Sequence, residues 1–195
     1  MYNLIVPDAL ATEFATVKAI WAVDAKTRCV DALILTWVKY EKQTRRLFTY
    51  LVLQHPELDD QARAEVDSAI AGNNRLYPRQ CLSGIEALGG QSMAVLLGPT
   101  YAQLSSHITR IQGYRNKIFH GQLTGRKLTA LQLSADVHHL IAWVDALGVT
   151  ALRAFGYDGL ARNTRRLAGT RPAQHLNFPF NTSAEFSTWL RRLTG

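Results

Sequence analysis

Near the end of a predicted helix, Arg115-Asn116-Lys117-Ile118-Phe119-His120 places a guanidinium, an amide and an imidazole within one short stretch. Gly121 follows as a stop. An arginine can hold a phosphate bidentately and stabilise charge that builds on it, and a histidine can move protons near neutral pH. Phosphodiester cleavage needs both abilities. Attack of an RNA 2′-hydroxyl on the adjacent phosphate needs a base for that hydroxyl, an acid for the departing 5′-oxygen and positive charge for a dianion-like phosphorane. One segment offers one imidazole. Two copies facing across a twofold axis offer two imidazoles, two guanidiniums and two amides, and twofold dimers are the commonest oligomers.

The helix that carries these residues contains an anomaly. Leu104, Ile108, Ile111, Arg115 and Ile118 follow steps of four and three, so Arg115 occupies a slot in an apolar seam. An arginine there needs a partner, because an isolated buried charge is costly. On an ideal helix Arg115 and His120 are separated by roughly 140°. Asn116, at the i, i+4 spacing, shares the face of His120. Either the helix ends before His120, which Gly121 permits, or the site is assembled with a second copy. Gly113, one turn earlier, would let another backbone approach.

The segment resembles the signature of the HEPN superfamily: an arginine followed by Asn, Asp or His, then a histidine after four to six intervening residues. Here four residues intervene and the second position is Asn116. The resemblance implies an all-α, antiparallel helical bundle acting as a metal-independent ribonuclease. Its composite cleft would form in a homodimer, with Arg115, Asn116 and His120 as the catalytic residues. RNA is then the substrate, no cofactor or metal is needed, and the setting is a toxin or an antiphage-defence effector. An antitoxin or regulatory protein is a further expected partner. A catalytically silent module using the same cleft to bind RNA, a nucleotide or a protein is the alternative reading. Some HEPN toxins carry a tyrosine two residues after the histidine, modified by a partner nucleotidyltransferase; Gln122 stands there, so this silencing route is not expected.

The balance of charge fits a phosphate-bearing partner. The formal net charge is +7, carried by 16 Arg against 6 Lys, which favours bidentate and stacking contacts. Arg162, Arg165 and Arg166 form a plausible RNA track, and Lys117 and Tyr114 flank the motif as weaker RNA contacts, packing being the stronger reading for Tyr114. Arg75 and Arg79, bracketing Tyr77, are a fainter candidate. Cys29 and Cys81 fit no metal spacing and read as small core residues. His138 and His139 read as surface or packing residues, and the four tryptophans as core or interface aromatics. No signal peptide is visible, and the run Ala32–Val38 is too short to span a bilayer, so the expected location is cytoplasmic.

The elements that must position the motif all read as helices. Asp8 is expected to cap a first helix to about Asp24, followed by helices over 27–54, from Asp59 or Asp60 to Gly72, and over 79–88. Glu41 and Arg45 are expected to pair on the second of these. Capping boxes at Thr100, Thr129 and Thr182, each with Gln or Glu three residues later, predict helices over 101–120, about 127–147 and 183–193. Residues 148–195, punctuated by glycine and proline and rich in arginine, read as a basic, partly irregular C-terminal appendage packed on a bundle of residues 1–147.

Overall fold

Apolar residues three and four apart, with hardly any strand-like alternation, give a fold whose described regular elements are all helices. The computed structural model describes residues 3–121, 128–161 and 175–195, and no strand occurs among them. The helices are α1 (Ala15–Ala22), α2 (Arg28–Leu53), α3 (Asp60–Gly72), α4 (Pro78–Gly89), α5 (Met93–Leu97), α6 (Tyr101–Phe119), α7 (Ala130–Phe155) and α8 (Ser183–Thr194). No single helix among the described residues is long and apolar enough to cross a membrane.

Several ends follow local chemistry. The Asp59 carboxylate accepts the Ala62 amide at 2.8 Å and caps α3. Pro78 opens α4, where its missing N–H costs nothing, and Gly90 closes it at φ 65°. Thr182 accepts the Glu185 amide at 3.2 Å and Thr129 accepts that of Gln132 at 3.1 Å, so two of the three expected boxes cap their helices. The third does not. Thr100 is already helical, at the end of a 3₁₀ turn over Gly98–Thr100, and its hydroxyl donates to the Leu97 carbonyl instead.

Three other expectations need correction. Asp8 caps nothing; it opens a 3₁₀ turn over Asp8–Leu10, and α1 starts only after Phe14. Arg45 is not a surface residue; it is part-buried and donates to the Leu76 carbonyl at 2.8 Å, holding the 70–76 segment against α2. The helix expected to stop at Leu147 runs on to Phe155. Gly148 sits inside it because a Cβ there would stand 3.2 Å from the Gln43 amide nitrogen; the true stop is Gly156, at φ 76°. α5 was not expected at all.

The chain divides into two compact units. One comprises Met1–Tyr40 with Leu97–Leu147; the other comprises Glu41–Leu96 with Gly148–Gly195. The expected boundary after residue 147 therefore coincides with one edge of the partition, while residues 41–96 join the C-terminal segment. In the second unit α3 and α4 pack on α8, and Phe48, Phe180, Phe186 and Trp189 form an aromatic cluster. In the first, Trp37, Tyr40, Trp143 and Tyr101 meet edge-on or tilted, with successive ring centroids 5.1, 6.1 and 6.3 Å apart. This first unit carries the motif.

Candidate functional site at the C-terminal end of α6

The buried side of α6 is Leu104, Ile108, Ile111 and Tyr114. The seam thus follows the step of three from Ile111 to Tyr114, leaving Arg115 half-buried beside it and Asn116, Lys117 and His120 exposed. Arg115 lies against two aromatic faces. Its guanidinium carbon lies 4.8 Å from the centroid of the Trp37 ring on α2 and 4.5 Å from that of Phe119. Each such contact contributes about 0.5–2 kcal/mol, more as water is excluded. The Arg115 Nη1 also donates to the Asn116 side-chain oxygen at 2.6 Å, so the two polar residues of the motif are coupled in one chain.

α6 stops at Phe119. His120 is its cap, at φ −92° and ψ 10°, and its amide still donates to the Asn116 carbonyl at 3.2 Å. Gly121 adopts φ 62°, a left-handed conformation that costs a residue with a Cβ about 1–2 kcal/mol, and its amide donates to the Ile118 carbonyl. The helix thus ends at the histidine, as Gly121 permits. The imidazole projects from the point where the helix releases the backbone. Gly113, with open space around its Cβ position, is exposed two turns earlier.

Tyr114 requires a correction. It is only 2% exposed, and its hydroxyl donates to the Asp136 carboxylate, so it is a core anchor with no ring face to offer a base. Phe119, 45% exposed, is the aromatic that reaches solvent beside the motif, with one face occupied by Arg115. Arg162, Arg165, Arg166 and Gln122 lie outside the described residues. Lys117 is exposed on the last turn of α6.

One to two turns before the motif lies a polar cluster that sequence reasoning missed. Asp136 on α7 is fully buried and receives both Arg110 and Tyr114 from α6. His139, one turn on, points its Nδ1 at an Asp136 oxygen 3.6 Å away and stacks on His107 of α6, the ring centroids 3.5 Å apart and the planes within 9°. Burial lowers the pKa of His139, and His107 pushes the same way against the attraction of Asp136. A signal was present: Asp136 interrupts the apolar stripe Leu133, Val137, Leu140, Ile141 and Val144, the same anomaly that singled out Arg115. His138 is a packing residue, as expected. Its Nε2 accepts the Ile5 amide at 3.2 Å, its Nδ1 faces the Ser134 carbonyl at 2.8 Å, and its ring meets Trp21 edge-on.

Cys29 and Cys81 are both buried free thiols, and no group of three or more His, Cys, Asp or Glu among the described residues is arranged to hold a metal ion. No protein-family model, curated protein or solved structure matches this chain.

Proposed function

We propose that this chain is a HEPN-type endoribonuclease that cleaves RNA without a metal ion, as a twofold homodimer with the two α6 ends facing one another. What supports the reading is the end of α6: Arg115 held against two aromatic faces, Asn116 beside it, and His120 exposed at the point where Gly121 ends the helix. In the reaction, one His120 removes the proton of an RNA 2′-hydroxyl, whose oxygen attacks the adjacent phosphorus. The bond to the 5′-oxygen breaks, and the second imidazole supplies that oxygen with a proton. Arg115 offsets the charge on the phosphorane, and Asn116 positions a phosphate oxygen or an imidazole. The products carry a 2′,3′-cyclic phosphate and a 5′-hydroxyl. Lys117 and the arginines 162, 165 and 166 contribute attraction for the backbone, and the +7 charge steers RNA to the dimer. Such an activity suits a toxin or an antiphage effector restrained by an antitoxin or regulatory protein.

A second reading rests on the 2.6 Å hydrogen bond between Arg115 and Asn116. If that pair stays closed, the same surface is a silent module that binds RNA, a nucleotide or a protein. Expression of the wild type and of His120→Ala separates the two. The nuclease reading expects growth arrest and fragmented RNA with the wild type alone; identical growth and intact RNA from both would leave the silent module.

A further inference from the structure

We propose that the stacked His107–His139 pair, seated beside the buried Asp136 carboxylate, is a pH-sensitive clasp between α6 and α7. The clasp is closed while the stack carries at most one proton and loosens when it must take a second. The proposal is independent of any nuclease activity.

The geometry carries it. Two imidazole rings lie face to face at 3.5 Å, within 9° of parallel. Neutral rings gain dispersion at this separation, and one protonated ring over a neutral one is tolerated. Two imidazolium rings would put like charges at van der Waals contact. Charged and titratable groups reach the stack from both helices. From α6 come His107 itself, Arg110 and Tyr114; from α7 come Asp136 and His139. Arg110 adds a third positive charge. Asp136 is the sole negative one in this set, and both its oxygens are engaged, Oδ1 by Arg110 and Oδ2 by the Tyr114 hydroxyl. At 3.6 Å the His139 Nδ1 is within ion-pair range of Oδ1 but beyond hydrogen-bond distance, so the attraction of Asp136 offsets burial and His107 only in part. His138 is turned aside to the Ile5 amide and the Ser134 carbonyl.

The His107 Nε2 and His139 Nδ1 atoms are buried and have no hydrogen-bond partner among the described residues. A proton on His139 Nδ1 would face only the Asp136 Oδ1 that Arg110 already shares, and His107 Nε2 has no acceptor among the described residues. Burial accordingly holds His139 below the ordinary imidazole range, reinforced by His107. The sign follows directly. A group whose folded pKa is depressed binds protons more readily in the unfolded chain. Its contribution is therefore complete above the ordinary imidazole value, about 6.5, and is lost as pH falls below it towards the folded value.

The test is a histidine NMR titration of the full chain, paired with urea unfolding between pH 7 and 5. The variant His107→Phe keeps an aromatic ring in the stack and removes its charge. In the wild type the His139 midpoint should lie below that of a histidine in a short peptide. The unfolding constant should then rise by up to about tenfold per pH unit on acidification, the limit for one unmatched proton. In His107→Phe the His139 midpoint should move up and that rise should shrink; His107→Gln, neutral as well, serves if the first variant does not fold. An unchanged His139 midpoint in the neutral variant would overturn the clasp. So would an unchanged pH dependence of stability in both the His107 variant and His139→Phe.

Discussion

Replacing Asp136 with alanine isolates the contact that holds α6 against α7 just before the motif. The carboxylate is fully buried and receives Arg110 and Tyr114. Without it the Tyr114 hydroxyl, on a residue only 2% exposed, loses this charged acceptor, which costs about 1–3 kcal/mol. The Arg110 side chain is 35% exposed and can return to water, so its share is discounted to less than about 1 kcal/mol. The expected loss is about 1–4 kcal/mol. Tyr114→Phe removes only the hydroxyl, and a hydrogen bond to a charged group contributes about 1.5–3 kcal/mol. The double variant should cost less than the sum of the singles, because each single already removes the shared bond. The coupling in the cycle should be about 1.5–3 kcal/mol. Urea unfolding in a Trp189→Phe background reports on the right part of the molecule, since Trp21, Trp37 and Trp143 all belong to the unit carrying the motif. Strict additivity, with coupling under about 0.5 kcal/mol, would refute the reasoning.

Other expectations are narrower. Gly121→Ala should destabilise the chain by about 1 kcal/mol through backbone strain at φ 62°, since no atom crowds its Cβ position, and Gly121→Asn should cost less, both by urea unfolding. Burial pushes the Cys81 thiol up to about 12, so native protein at pH 8 should resist alkylation at Cys81 and react once denatured, as mass spectrometry would record. Thr182→Ala should lose about 1 kcal/mol in unfolding experiments, whereas Thr100→Ala should lose clearly less, because only Thr182 caps a helix.

Helix periodicity made the elements legible, and the Asp59 cap followed from residue type. What failed were ends decided by partners far along the chain. Gly148 looked like a terminus, yet its missing side chain accommodates Gln43, more than a hundred residues away. Arg45 looked like half of a surface pair, but it reaches carbonyls that no helical spacing announces. At the site the local part was readable, including the seam anomaly at Arg115 and the turn at Gly121. Its support was not: Trp37 lies under Arg115 from another helix, and Asp136 could have been flagged as a charge in an apolar stripe but not matched to Arg110 and Tyr114. Tyr114 was readable as an aromatic beside the motif, and only the α6–α7 packing decides that it faces inward.

The central claim is that the end of α6 cleaves RNA through the 2′-hydroxyl, and a single deoxyribose tests it. Purified protein with a chelator present would be given an oligoribonucleotide that it cuts, and the same strand with 2′-deoxyribose at the nucleotide whose hydroxyl would attack. The account predicts cleavage of the first to a 2′,3′-cyclic phosphate and a 5′-hydroxyl, with none at the substituted position. Arg115→Ala or His120→Ala should abolish cleavage while leaving the fold intact by circular dichroism. Cutting at the deoxy position, or activity that survives in both alanine variants, would contradict the account, as would a purified dimer that cuts no RNA at all.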